Sequence, residues 1–158
     1  MKARFAHVNV VAADWRRLAR FYEDVFGCVR VPPERRLEGD WLSRATGVPD
    51  AALQGVHLRL PGYDAGGPTL EVFQYSEELD RLPGAANRRG FGHAAFEVDD
   101  VAAAALRVCS EGGRMIGDVV SREIPGAGFI TFAYVTDPED NVIELQHWST
   151  KPPSDTER

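Results

Sequence analysis

The chain has 158 residues, of which 44% are hydrophobic and 27% charged, a balance typical of one globular domain and not of a disordered chain. Its formal net charge of −6 argues against nucleic-acid binding, which needs a concentrated basic surface. No apolar run approaches the roughly 20 residues of a membrane helix, and the N-terminus does not resemble a signal peptide. We therefore expect a cytoplasmic protein with no nucleic-acid or membrane partner, and its two cysteines, Cys28 and Cys109, to be reduced.

The first segments predict a strand followed by a helix. Residues Arg4–Val11 alternate in polarity with the period of a strand. Asp14 is a suitable N-cap, and apolar residues then recur every three or four positions from Trp15 to Phe26. Gly27 is a suitable stop for this helix.

The next part of the chain predicts a long loop between two strands. Cys28–Val31 is typical of a short strand, and Val56–Leu60 alternates again. Between them, Pro32–Leu53 contains three prolines and predicts an irregular loop, which is commonly functional at this length. Its bulky residues Trp41 and Leu42 are candidates to close over a cleft or, alternatively, to pack as a small cluster beneath the loop.

The rest of the chain predicts a further strand, a linker and a second set of elements. Thr69–Tyr75 is a strand that carries Glu71, and residues 76–89 are a polar linker. The later predicted elements are a strand Phe91–Val98 with His93, a helix Val101–Glu111 capped by Asp100, strands at Arg114–Asp118, Ser121–Ile124, Phe129–Val135 and Val142–Trp148 with Glu144, and a flexible tail 151–158.

The two halves of the chain repeat one pattern. His93 follows His7 by 86 residues, and Asp100 follows Asp14 by the same interval. Each half contains a strand with a histidine, an Asp-capped helix, and then strands of which the last carries a glutamate. This is an internal repeat of a βαβββ unit, and it predicts an α+β domain, residues 1–150, with modules at 4–75 and 90–148.

The repeat places one histidine and one glutamate in each half at matching positions. A glutamate inside an apolar run needs a partner, because a buried unpaired carboxylate is costly. Taken singly, each histidine is more commonly structural, and each glutamate is commonly on an exposed sheet face. The coincidence of all four favours one divalent cation held by His7, Glu71, His93 and Glu144.

Several segments resemble the vicinal oxygen chelate superfamily, which contains the glyoxalases, bleomycin-resistance proteins and extradiol dioxygenases. The matching segments are residues 5–10, 20–27, 69–73, 90–98 and 137–145, and the resemblance covers about residues 4–148. It implies two pseudo-symmetric βαβββ modules that form a curved mixed sheet around a metal-containing cleft, with ligands matching His7, Glu71, His93 and Glu144. Asp140 stands where the family turn often has glycine, and it should adopt a left-handed backbone.

The four-ligand pattern resembles glyoxalase I and methylmalonyl-CoA epimerase most closely. This resemblance implies a lyase or isomerase that moves a proton next to a carbonyl while a metal (Zn, Ni, Co, Mn or Fe) stabilises the enolate. We expect Glu144 to act as the base, with Glu71 as its catalytic partner. It also implies a small-molecule substrate and a homodimer.

Two other functions stay open on the sequence. Iron dioxygenases share the scaffold, although they lack an acid at the position of Glu71; a non-catalytic protein that binds a small molecule is the other alternative. His57 and Arg59 share one strand face, which points either into the cleft or to solvent. His147 lies on the strand face opposite Glu144, so we do not expect it to be a ligand.

Overall fold

The computed structural model describes residues 2–152, so residues 153–158 of the predicted tail lie outside the described range. The chain divides into two compact units, the first ending at Arg81 and the second beginning at Leu82. Each unit has its own mixed sheet and follows the order of a βαβββ module, with one additional short helix in the first unit and one additional strand in the second. This confirms the predicted α+β class. The elements are β1 His7–Val11, α1 Trp15–Phe26, β2 Val29–Glu38, α2 Asp40–Thr46, β3 Ala52–Arg59, β4 Thr69–Tyr75, β5 Ala94–Glu97, α3 Val101–Ser110, β6 Arg114–Met115, β7 Val120–Ile124, β8 Gly128–Thr136 and β9 Val142–Ser149.

The two sheets share a topology in which the first and last strands of a module are neighbours. In the first unit the strand order is β1-β4-β3-β2, with β1 parallel to β4 and the other pairs antiparallel. In the second unit the order is β5-β9-β8-β6, with β5 parallel to β9 and β7 also paired to β8. The last strand of each module is therefore flanked on both sides, and its side chains have neighbours on two strands.

Helix α1 forms as its sequence predicts. Asp14 accepts hydrogen bonds from the backbone N–H groups of Arg16 and Arg17, which satisfies two donors that a helix start leaves unpaired. Gly27 ends the helix in the left-handed conformation, with φ of 70°. The buried face of α1 includes Trp15 and Tyr22, and the helix contacts β3 and β4.

Helix α3 is the counterpart of α1 in the second unit. Asp100 accepts a hydrogen bond from the backbone N–H of Ala103, as expected of an N-cap. The helix ends at Ser110, one residue earlier than predicted. Its buried residues Val101 and Val108 face β8 and β9, which the helix contacts. No helix within residues 2–152 is long and apolar enough to cross a membrane.

The prediction of an irregular loop over Pro32–Leu53 is wrong. Strand β2 continues to Glu38, and α2 follows immediately. Prolines are tolerated here because β2 is the edge strand of its sheet and its pairing with β3 is interrupted between Val31 and Arg35, where the register shifts. Leu42 on α2 packs with Ala51 and Leu53 in a buried cluster, whereas 57% of Trp41 is exposed.

The predicted strand position of His93 is also wrong, whereas His7 lies in β1 as predicted. His7 is the first residue of β1, and His93 immediately precedes β5, which begins at Ala94. The glycines on either side of Phe91 weaken strand formation there, and the backbone of Gly90 has φ of 123°, which a strand does not use. Both histidines therefore lie where the chain enters the first strand of its module.

Candidate metal centre

Glu71 is a buried carboxylate on β4, one of the two inner strands of the first sheet. Leu70 and Val72 are buried on one face of β4, so Glu71 points to the opposite face. Strand register places Asn9 of β1 on one side of Glu71 and His57 of β3 on the other. Only 8% of Glu71 is exposed, which means that its charge depends on these neighbours.

Three polar side chains surround the Glu71 carboxylate. His7 Nδ1 lies 3.4 Å from Oε1, and His57 Nε2 lies 3.1 Å from the same oxygen. Asn9 Nδ2 donates to Oε2 at 3.5 Å. The structure thus brings together the two predicted residues of the first half, His7 and Glu71, and adds Asn9 and His57.

His57 is the functional candidate that sequence reasoning left undecided. Its Nδ1 lies 3.4 Å from the Thr69 hydroxyl, and its ring contacts Phe73 edge-on, with 5.7 Å between the ring centroids. Burial lowers the pKa of His57; the Glu71 carboxylate opposes this shift, while Arg35 and His7 add to it. The neutral imidazole is therefore favoured. The signal was present in the alternation of β3, but the register between β3 and β4 is needed to see that His57 faces Glu71.

Glu144 on β9 occupies the corresponding position in the second unit. Its neighbours in the chain, Ile143 and Leu145, are buried on the opposite face. His93 Nε2 lies 2.9 Å from Glu144 Oε2, and the Tyr134 hydroxyl donates to the same oxygen at 3.5 Å. Burial raises the pKa of Tyr134, and the nearby Glu144 charge and hydrogen bond raise it further, so the phenol stays protonated.

A tight turn fixes the start of the strand that carries Glu144. Asp137 accepts hydrogen bonds from the backbone N–H groups of Glu139 and Asn141 and from the Asn141 amide. Asp140 has φ of 69°, the left-handed conformation predicted for it. The Asp140 carboxylate accepts from the Gly84 N–H and contacts Arg114. These contacts hold the turn without glycine at that position.

The donor atoms in each unit fit a divalent cation in type and in spacing. Two adjacent ligands about 2.1 Å from one ion lie roughly 3.0–3.4 Å apart at tetrahedral or octahedral angles. The pairs His7–Glu71 and His93–Glu144 have separations of 3.4 and 2.9 Å, and the shorter of these is also an ordinary hydrogen-bond distance. Among residues 2–152, no group of three or more His, Cys, Asp or Glu side chains is arranged to hold an ion. In the first unit His57 lies beside the His7–Glu71 pair, and in the second unit His93 and Glu144 form a pair without a third such side chain among the described residues.

The fourth histidine of the chain lies apart from these pairs. His147 Nδ1 is 3.0 Å from the Val98 carbonyl oxygen. It thus has a backbone partner that links β9 to the end of β5.

Comparisons with known proteins agree with this fold. A sequence model of the Glyoxalase/Bleomycin resistance protein/Dioxygenase superfamily matches residues 4–145. A glyoxalase family protein from Bacillus cereus is similar in structure, with 18% identity, 94% of each chain covered and a TM-score of 0.71. A glyoxalase/bleomycin resistance protein/dioxygenase domain from Frankia sp. EAN1pec also matches, with 18% identity, 94% of this chain and 100% of that one covered and a TM-score of 0.58. A family enzyme from Burkholderia phytofirmans PsJN gives 17% identity, 93% and 100% coverage and a TM-score of 0.55. No curated protein matches the sequence.

Proposed function

Because the chain belongs to the Glyoxalase/Bleomycin resistance protein/Dioxygenase superfamily, we propose that it is a metal-dependent lyase or isomerase that moves a proton at a carbon next to a carbonyl group. The observation that carries the proposal is the same donor pair in both units: His7 with Glu71, and His93 with Glu144. A carboxylate and an imidazole placed together twice match the ligand preferences of a divalent ion. We expect these four side chains to hold about one ion per chain, drawn from Zn, Ni, Co, Mn and Fe.

The chain's own residues divide the chemistry between them. When bound, a divalent ion supplies polarisation of a substrate carbonyl oxygen, which acidifies the adjacent C–H bond. Glu144 takes the proton from that carbon and returns it to the product. His93 and Tyr134 orient Glu144 through Oε2. Glu71 is the carboxylate with the larger number of side-chain partners.

A second candidate function is a protein that binds a small molecule without catalysis. One observation favours it: within residues 2–152 both carboxylates already have protein donors, Asn9 and His57 for Glu71 and Tyr134 for Glu144. A metal ion is therefore not the only way to satisfy their charge. The third possibility, an iron dioxygenase, would show oxygen consumption with ferrous iron and a catechol, and we expect none.

The proposed activity is tested by proton exchange. Metal-loaded protein is incubated in D2O with acyl thioesters and with thiol adducts of 2-oxoaldehydes, and NMR follows deuterium entry next to the carbonyl. Glu144→Gln keeps the shape of the side chain but removes the base, so turnover should fall about 100- to 10,000-fold. Glu123→Gln, on an exposed residue of β7, is the matched control and should leave the rate unchanged.

Two results would overturn the proposal. Near-normal exchange in Glu144→Gln would remove Glu144 as the base. Purified and reconstituted protein that holds no divalent metal by elemental analysis would move the non-catalytic binding function to first place. Light scattering of the same samples measures the homodimer that the family resemblance implies.

A further inference from the structure

The two glutamates have chemically different partners at equivalent positions of the repeated sheet. His57 on β3 is in register with Glu71, and Tyr134 on β8 is in register with Glu144. In each unit this neighbour lies on the antiparallel strand beside the last strand of the module. One half therefore places an imidazole beside its carboxylate, and the other half places a phenol there.

The number of contacts also differs between the two carboxylates. Glu71 is held at both oxygens, because His7 and His57 lie within 3.4 Å of Oε1 and Asn9 donates to Oε2. Both partners of Glu144, by contrast, approach Oε2, and the described residues place no donor at its Oε1. Turning Glu71 would break contacts with two neighbouring strands, whereas Glu144 has one oxygen without such a restraint.

The His57 ring is itself held in one orientation. The Thr69 hydroxyl at Nδ1 is able to donate to that nitrogen, which leaves the proton on Nε2 for Glu71. The edge-on contact with Phe73 supports the ring from the side. The arrangement resembles the way in which a residue behind a metal ligand fixes the orientation of that ligand.

We propose that His57 is a positioning residue that fixes Glu71 as an immobile ligand and so leaves the proton-moving role to Glu144. This inference rests on the proposed metal-dependent function and deepens it, because it explains why two equivalent carboxylates would act differently. His57 acts through Glu71 and is not a catalytic residue. Tyr134, at the equivalent position of the second unit, contacts only Oε2 of Glu144, so the effect of its mutation is compared with that of His57.

The test measures Co²⁺ binding by visible absorption titration, with no substrate present. His57→Phe keeps a ring of similar size but removes the donor, and it should weaken Co²⁺ binding about 10- to 100-fold. His57→Gln places an amide N–H close to the position of Nε2, and it should restore most of the affinity and the wild-type spectrum. Tyr134→Phe is the matched control in the other unit and should change the affinity less than His57→Phe does.

Each outcome separates this inference from the proposed function. Unchanged Co²⁺ affinity in His57→Phe, or an equal loss in Tyr134→Phe, would overturn the positioning role while leaving the metal site intact. If the wild type binds no Co²⁺, the proposed function fails, and the positioning role fails with it. Long-range ¹H–¹⁵N NMR of the metal-free protein provides a second readout: we expect the His57 proton on Nε2, and a proton on Nδ1 would overturn the inference. Circular dichroism of each variant confirms that it is folded.

Discussion

Cys28 and Cys109 carry the same thiol group in two different environments. Cys28 is buried, and burial, followed by the charge of Glu23, raises its pKa to about 12. Cys109 is exposed on α3. Because only the thiolate reacts with alkylating reagents, the two residues should differ strongly in reactivity at neutral pH.

We predict that iodoacetamide at pH 8 labels Cys109 in the native protein and leaves Cys28 unmodified, and that both react in guanidinium chloride. Peptide mass spectrometry measures the two sites separately, and Cys109→Ser should show almost no labelling until the protein is unfolded.

The raised pKa of Cys28 also affects the stability of the protein at high pH. As the pH rises above about 9, the unfolded Cys28 thiol ionises while the folded one stays protonated, so the free energy of unfolding should fall. Fast labelling of Cys28 by iodoacetamide in the native protein would contradict the raised pKa on which both predictions depend.

At the scale of elements, the start of α1 depends on one side chain. Asp14 Oδ1 accepts from Arg16 N and Arg17 N at 3.1 and 3.0 Å. Asp14→Ala removes the acceptor of both hydrogen bonds and should lower the free energy of unfolding by about 1 kcal/mol, measured by urea denaturation. Asp14→Asn keeps a capping oxygen and should recover most of the loss. Equal stability of Asp14→Ala and wild type would show that the backbone alone fixes this helix start.

The elements that the sequence predicts well are those with local signals. The predicted bounds of α1 and of β4 match the structure. A cap, a glycine stop and a helical period define α1, and the turn residues that precede Thr69 define the start of β4. Strand β2 was predicted to end at Val31, because the prolines that follow normally argue against a strand. Helix α2 was missed, since seven residues are too few for a clear helical period. Local propensity does not reveal that β2 lies at an edge.

The residues of the candidate site also differ in whether a local sequence signal reveals them. Glu71 and Glu144 are visible in the sequence, because a carboxylate inside an apolar strand is conspicuous wherever it occurs. The sequence does not reveal that His57 and Tyr134 are their partners, because each meets its glutamate through pairing between strands. A shift of one residue in either register would turn these side chains to the opposite face.

For the whole molecule, the presence of one His–Glu pair in each unit predicts how metal-dependent stabilisation responds to mutations in either unit. If an ion needs the donor pair of each unit, then His7→Ala and His93→Ala should each abolish the stabilisation that the ion provides. For wild type, Zn²⁺ at 100 times its Kd should raise the free energy of unfolding by about 2.7 kcal/mol. Differential scanning calorimetry with and without Zn²⁺ measures the effect. Stabilisation that survives in one of the two variants would show that a single unit holds the ion.

The parallel pairing of β1 with β4 also determines when half of this site is able to form during synthesis. In the described part of the chain β1 pairs only with β4, so its hydrogen bonds wait for Thr69–Tyr75 to leave the ribosome. The conformational entropy of the segments between the two strands must be lost before the β1–β4 hydrogen bonds form. This cost slows the nucleation of the sheet. His7 thus emerges 64 residues before Glu71 and meets it only when its whole module has been translated. The second module repeats this delay, with β5 waiting for β9.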